Sequence, residues 1–430
     1  MIFIVIIELA VENFRSIKTR QTFSLTKSKS SSDELDGNAF DPKALSVSPL
    51  LRTAVIYGAN AAGKSNFIKA VKVMREIVAN SAKNIQRGDK LPITHFKLCD
   101  STIGKPTEFE VIFIADGIKY QYGFSATSER VMEEWLYAFP KSRPQRWFIR
   151  AFDEAKDEYV WDFSSFFVGK KQTWKDSTRN NSLFLSTAVM LNSEQLKPVY
   201  DWFTKTLKVA GIDGWSGAYT AELCTKDDGK KDVLKFLNSA DLDINDLKLE
   251  SKKIDTSAFP DDMPSDMKSH LLKELEGKEF IDIKTVHKTA QGKDILFELD
   301  DESDGTRKIF SFAGPWIDTL RNGKVLFIDE LHDSLHPHIV KFLVSLFHNT
   351  KTNPNNAQLV FTTHETSILD QDVFRRDQIW FCKKDREQAT EIYPLSDFSP
   401  RKGAENLEKS YLAGRYSALP VISTLGLLGE

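Results

Sequence analysis

Cysteine is scarce in this sequence. Cys99, Cys224 and Cys382 are the only three among 430 residues, far apart and without CxxC spacing, which argues against a disulfide framework or a cysteine-bound zinc and suits a reducing, cytoplasmic compartment. Long hydrophobic runs are missing as well: no stretch of about 18 apolar residues occurs, so no membrane span is expected. The apolar opening, residues 1–7, has no basic leader and meets Glu8, Glu12 and Arg15 at once. It reads as a buried strand rather than a secretion signal. Neither charge sign prevails, with 58 Lys plus Arg against 61 Asp plus Glu and a net charge of -3. There is thus no global pull toward nucleic acid or anionic membrane, and any such contact must be a local patch. No repeat of fixed period is visible.

What is present is 41% hydrophobic and 28% charged residues, the balance of a folded chain with one large elaborated domain or two. Residues 2–11 are rich in β-branched side chains and are followed by the alternating Thr22-Phe23-Ser24-Leu25, which predicts an antiparallel pair. Residues 27–38, packed with Ser, Lys and Asp, read as a loop. Residues 53–57 form a short apolar run that stops at Gly58, after which Phe67, Ile68, Ala70, Val71, Met74 and Ile77 recur at helical spacing. That is strand, glycine loop, helix. Residues 108–115 and 119–124, separated by Asp116-Gly117, predict a β-meander.

Residues 191–288 are charged and helix-like, with candidate helices at 193–203 and 265–275. They read as a mainly helical insertion between an N-terminal half, 1–190, and a C-terminal half, 289–430. Residues 295–299, 325–328 and 359–361 are short apolar runs of the kind buried in a parallel sheet, the last two joined by a helix over 337–347.

Gly58-Ala59-Asn60-Ala61-Ala62-Gly63-Lys64-Ser65 satisfies GxxxxGK[ST] in the context its mechanism requires, after a strand and before a helix. The glycines let successive N–H groups point at phosphate oxygens, and the helix N-terminus adds a favourable dipole. Lys64 is expected to reach the β- and γ-phosphates of ATP, and Ser65 to place its hydroxyl on Mg²⁺. Val325-Leu326-Phe327-Ile328-Asp329-Glu330 is a hydrophobic strand ending in two acids. Such an ending can be no more than solvated charge, but beside a phosphate loop it reads as a Walker B element. Asp329 would then hold Mg²⁺, and Glu330 would act as general base toward the attacking water.

More than half of the chain separates Lys64 from Asp329, too far for a compact GTPase-like module. Glu302-Ser303-Asp304-Gly305-Thr306-Arg307 precedes the acids and Thr362-Thr363-His364 follows them. The first could be an ordinary Asp-Gly turn, and His364 a satisfied histidine at a strand end. The order and spacing of the elements favour function for both.

That order resembles an ABC-type ATPase head: phosphate loop, distant signature-like segment, Walker B, Ser334-Leu335-His336-Pro337, strand-end histidine. More closely, Val11-Glu12-Asn13-Phe14-Arg15-Ser16-Ile17, the loop from Tyr57 through Asn66, and Tyr411-Leu412-Ala413-Gly414-Arg415-Tyr416-Ser417-Ala418-Leu419-Pro420 resemble the bacterial AAA15 ATPases. Those include RloA-like and abortive-infection AbiLi-like proteins, relatives of the OLD family. The resemblance implies an α/β fold, an ABC/SMC-type P-loop head with an N-terminal antiparallel β-region and a helical insertion. It also implies ATP bound along residues 58–66. Ser303, Gly305 and Thr306 would contact the γ-phosphate of ATP held by a second subunit, so the site needs a homodimer of heads or a multiple of it. Residues 334–336 would be the D-loop and His364 the switch histidine, with Lys64 and Glu330 completing the catalytic set. The usual LSGG-like signature is reduced here to Ser-Asp-Gly-Thr.

OLD-type nucleases append a TOPRIM domain, for which the 66 residues after His364 leave no room. The implied role is therefore an ATP-driven sensor or regulator in antiphage defence, with cleavage chemistry left to a separate effector such as a nuclease. A DNA-repair clamp like RecF and the SMC-related proteins, which share the Asn-Phe-Arg-Ser-Ile opening, is the alternative, and an ATP-binding scaffold with little hydrolysis a third. Lys141, Arg143, Arg146 and Arg150 around Trp147 and Phe148 are the candidate nucleic-acid patch, or else a solvated basic strand over core aromatics.

Overall fold

The computed structural model describes residues 4–29, 35–44, 46–211, 215–253, 279–401 and 405–420. The chain divides into two units, Met1–Asp213 with Thr319–Glu430, and Gly214–Asp318.

The first unit holds a six-stranded sheet in the order Leu207–Ala210, Val325–Ile328, Gln358–Thr362, Thr53–Gly58, Ile379–Lys384, Thr390–Pro394. Five strands are parallel and the sixth is antiparallel to its neighbour. Thr53–Gly58, Val325–Ile328 and Gln358–Thr362 are buried at every residue, which is why they read as unbroken apolar runs: both faces of a parallel sheet are covered. Phe361 pairs with Ile328 on one side and Val55 on the other. Gly58, Asp329 and Thr362 therefore leave the sheet at the same C-terminal edge, where open α/β sheets place their ligands.

A second, antiparallel sheet runs Glu158–Phe163, Gln145–Asp153, Val131–Phe139, Ile118–Ala126, Thr107–Ala115, Val5–Glu12, Gln21–Ser24. The expected N-terminal pair and the meander are both in it. Asp116 and Gly117 turn its central hairpin with φ of 50° and 77°, the two left-handed residues that a tight hairpin matching strand twist requires.

The helix Lys64–Asn80 buries Phe67, Ile68, Val71, Met74, Ile77 and Val78. They join one core with Leu9, Val11, Phe109 and Phe113 of the antiparallel sheet and Ile56, Phe327 and Val360 of the parallel one. Each such side chain contributes roughly 2 kcal/mol by leaving water, so the start of this helix is held from both sides.

The second unit departs from the expected helical insertion. It contains the helices Ala218–Cys224 and Asp227–Ser239, but also a three-stranded antiparallel sheet of Asp246–Lys253, Glu279–Lys288 and Asp294–Glu298. Residues 207–210, inside the same stretch of sequence, belong to the central sheet of the first unit. The apolar run at 295–299 is not a buried parallel strand: Ile295, Leu296 and Phe297 are 37%, 53% and 41% exposed on an antiparallel edge strand. A run this short carries no signal that separates a buried strand from an edge. The candidate helix at 193–203 is shortened to Lys197–Asp201, started by Pro198 and followed by a π-helical turn, Trp202–Thr206. The one at 265–275 lies outside the described residues. Among those described, no helix is long and apolar enough to cross a membrane.

Candidate nucleotide site

The strand Thr53–Gly58 and the helix Lys64–Asn80 are joined by a loop with two left-handed residues, Ala61 (φ 64°) and Gly63 (φ 110°). These reverse the chain so that the helix begins with its first N–H groups directed into the loop, a ready cradle for an anion. Lys64 is 4% exposed, and its Nζ donates to the carbonyls of Gly58 (2.8 Å) and Ala59 (3.3 Å), which holds the ammonium across the loop.

The back of the loop is clamped by residues that sequence reading did not find. The Ala62 carbonyl accepts from the Thr390 hydroxyl at 2.9 Å and the Cys382 thiol at 3.2 Å. Burial pushes the Cys382 thiol up to about 12 against the opposing pull of the Lys64 charge, so it stays a neutral donor. The Ser16 hydroxyl shares a hydrogen bond with Thr390 (2.8 Å) and accepts from the Asn66 amide (2.8 Å). The opening motif thus ends on a contact to the first turn of the phosphate-loop helix. A Cβ on Gly63 would lie 2.0 Å from Thr390 Oγ1, and one on Gly58 2.3 Å from the Cys382 carbonyl oxygen. Gly58 is required by close approach, and Gly63 by close approach and by its left-handed backbone.

Asp329 is 3% exposed and accepts the Thr362 hydroxyl at 2.6 Å. The same oxygen of Thr362 accepts the Glu330 N–H at 2.8 Å, and Leu331 N–H donates to the Thr362 carbonyl at 3.1 Å. These bonds hold Glu330 in a left-handed conformation, φ 56°, which costs a non-glycine residue about 1–2 kcal/mol. The Glu330 carboxylate then faces His364 Nδ1 at 3.5 Å and His332 Nε2 at 3.8 Å. The two imidazoles meet Nε2 to Nε2 at 3.0 Å, rings crossed at 75°. Sequence reading missed His332. It sits in the turn that follows the strand, where no residue period marks a side chain as part of the site. Burial pushes the neighbouring Glu365 carboxyl up, but hydrogen bonds from Ser367 and the charges of His332 and His364 outweigh it and hold it below its ordinary value.

The donor set suits its expected cargo. The cradle of N–H groups with the Lys64 ammonium matches a chain of phosphates, and the Ser65 hydroxyl and Asp329 carboxylate are the hard oxygen donors that Mg²⁺ takes. Ser65 and Asp329 would hold the cation, which when bound would neutralise charge on the phosphates.

Ser303, Gly305 and Thr306 lie in the second unit and open a helix, Asp304–Asn322. The Ser303 hydroxyl accepts the Thr306 N–H at 3.1 Å and bonds the Thr306 hydroxyl at 2.8 Å. The segment is thus a capped helix start rather than a free Asp-Gly turn. Residues 334–336 form a tight turn, Ser334 at φ 57°, and His336 Nδ1 caps the helix Pro337–His348 by accepting the His338 N–H at 3.2 Å.

The basic cluster at 141–150 does not form one exposed patch. Arg150 is 0% exposed, donates to the carbonyls of Ser182 and Arg179 and lies 3.9 Å from the buried Glu134. Arg146 pairs with Asp162 at 2.6 Å, and Trp147 and Phe148 are core residues. Lys141 and Arg143 stay exposed, as does Arg146 beside its partner Asp162.

No curated protein matches the sequence. Among solved structures it is similar to the SmcHead bound to the C-winged helix domain of ScpA, at 12% identity and a TM-score of 0.41 over 91% of this chain and 97% of that one. It is similar also to the recombination mediator protein RecF with ATP, at 15% identity and a TM-score of 0.38 over 91% of this chain and 100% of that one. A family model described as "AAA domain, putative AbiEii toxin, Type IV TA system" matches residues 54–370, a span that runs from the phosphate-loop strand past His364. With that span matched and its nucleotide motifs gathered at one sheet edge, the chain belongs to this family of AAA domains.

Proposed function

We propose that this protein binds ATP with Mg²⁺ along residues 58–66 and hydrolyses it, as an ABC-type head that closes in pairs around the nucleotide. The observation that carries the reading is the double use of Thr362, which holds the Asp329 carboxylate at 2.6 Å and the Glu330 N–H at 2.8 Å. One residue orients the acid for the metal and the acid for the water. Water attacks the γ-phosphorus, the bond to the bridging oxygen of ADP breaks, and Glu330 accepts the proton from the water. Lys64 steadies the β- and γ-phosphates, and His364, beside Glu330, reports the γ-phosphate. Ser303, Gly305 and Thr306 serve the ATP of a second copy, a role supported by their capped helix start.

The cycle converts differential affinity for ATP and ADP into opening and closing of the pair. Its setting, on this reading, is a bacterial defence system of the abortive-infection kind, with toxic chemistry in a separate effector. The family description, which names a toxin of a type IV toxin–antitoxin system, supports that setting, as does the AAA15-like motif set.

The test is steady-state ATP hydrolysis by the wild type and Glu330→Gln, with mass measured by light scattering in ATP and Mg²⁺. Turnover in the wild type, with an inactive Glu330→Gln that gathers into ATP-dependent dimers or larger assemblies, supports the reading. Absence of both turnover and assembly change removes it. Strong stimulation by duplex DNA with a steep salt dependence moves the protein to a repair role. Phage protection that survives Lys64→Ala separates the defence role from the nucleotide.

A further inference from the structure

The pair of histidines beside Glu330 has a chemistry that hydrolysis does not use. We propose that Glu330, His332 and His364 form a binding site for a borderline-soft divalent cation, zinc above all, and that its occupation switches ATP hydrolysis off. The second half of this proposal rests on the roles given above to Glu330 and His364; the first half does not.

Three observations carry it. One ligand atom from each residue can be chosen so that all lie within 4.8 Å of one another. Zinc–nitrogen bonds near 2.0–2.1 Å put tetrahedral ligand atoms about 3.4 Å apart; His332 Nε2 lies 3.8 Å from Glu330 Oε2, and His364 adds either its Nε2, 3.0 Å from His332 Nε2, or its Nδ1, 3.5 Å from Glu330 Oε2. Two imidazoles and one carboxylate with a fourth position open to water is also the donor set that zinc takes in sites that keep an exchangeable ligand.

Exposure agrees with the chemistry. The His332 and Glu330 side chains are 10% and 22% exposed while that of His364 is 56% exposed, so the site is anchored on its inner side and open on its outer one. The backbone under it is fixed, since Glu330 is tied to Thr362 through its own N–H and through that of Leu331. Imidazole ligands suit zinc and are poor for magnesium, which keeps to oxygen. The two cations therefore sort to neighbouring positions, Mg²⁺ to Ser65 and Asp329 and zinc to the histidine pair. A cation there takes the lone pairs of the proposed base and of the proposed γ-phosphate sensor, so ATP still binds but is not cleaved.

The experiment titrates Zn²⁺ into the full-length protein without nucleotide, in competition with a chromophoric zinc chelator, for the wild type, His332→Ala, His364→Ala and Glu330→Gln. One zinc per chain is expected, with each substitution weakening binding about tenfold or more. The exposed His364 keeps the test valid should a buried variant fail to fold. In excess Mg²⁺ and ATP, one equivalent of Zn²⁺ should slow the wild type at least tenfold and leave His332→Ala at its zinc-free rate. Stoichiometric binding that all three substitutions leave unchanged would falsify the site. Hydrolysis by a protein that binds no zinc overturns the site and spares the catalytic reading. Substitution-sensitive zinc binding by a protein that never hydrolyses ATP keeps the site and removes the catalytic reading.

Discussion

The hydroxyl of Thr362 donates to the carboxylate of Asp329 at 2.6 Å across two adjacent parallel strands. Both residues are buried, so the bond works in a low-dielectric setting where an unpaired carboxylate is costly. Thr362→Val keeps the shape and removes the hydroxyl. It should destabilise the protein by about 1–3 kcal/mol and lower kcat for ATP at least tenfold, with nucleotide affinity within a few-fold of wild type. Parallel measurement of kcat, nucleotide binding and urea unfolding checks this. An unchanged kcat would show that the acids do not depend on Thr362.

Lys64 is tied to the carbonyls of Gly58 and Ala59 and supplies a cation at the loop. Lys64→Met retains the apolar stem and deletes the charge. With charge-assisted hydrogen bonds contributing about 1.5–3 kcal/mol, ATP binding should weaken by ten- to a hundredfold. Fluorescent nucleotide titration measures it, and native-like thermal unfolding of the variant excludes a folding defect.

Two glycines separate backbone strain from close approach. Gly117 has φ 77° with nothing within 4 Å of an added Cβ, whereas Gly63 has φ 110° and a Cβ there would meet Thr390 Oγ1 at 2.0 Å. Gly117→Ala should cost about 1 kcal/mol, the strain alone, and Gly63→Ala about 3 kcal/mol or more with loss of nucleotide binding. Equal costs in chemical unfolding would mean that the loop moves away from Thr390 freely.

His348 ends the helix Pro337–His348 with its Nε2 at 2.7 Å from Thr53 Oγ1. Burial, with the Arg52 charge beside it, pushes its imidazole down to about 3 from an ordinary 6.5. Below about pH 6.5 the unfolded chain takes up a proton that folded His348 refuses until about pH 3. Stability from this group is therefore complete above pH 6.5 and falls as the pH drops through that window, on the order of 1 kcal/mol per unit at most. His348→Gln should flatten this part of the profile, seen as a smaller difference between urea midpoints at pH 7.5 and 5.5.

Local chemistry was legible in the chain itself. The run ending at Gly58, the glycine loop and the amphipathic start of the next helix announce a phosphate loop, because backbone conformation and helix periodicity are written in consecutive residues. The acids at the end of Val325–Ile328 were legible for the same reason, and so was the Asp116-Gly117 hairpin. What needed the folded chain is everything set by distant neighbours. Gln358–Thr362 separates the phosphate-loop strand from Val325–Ile328, and this order alone makes Thr362 the partner of Asp329. Cys382 and Thr390 reach the loop from more than 300 residues away and Ser16 from 50, and His332 comes to lie against His364. The exposed strand at 294–298 and the buried Arg150 were misread alike, because burial is a property of what packs against a residue. Hydrogen-bond partners and burial are decided by packing across the sheet, for which a single sequence holds no local pattern.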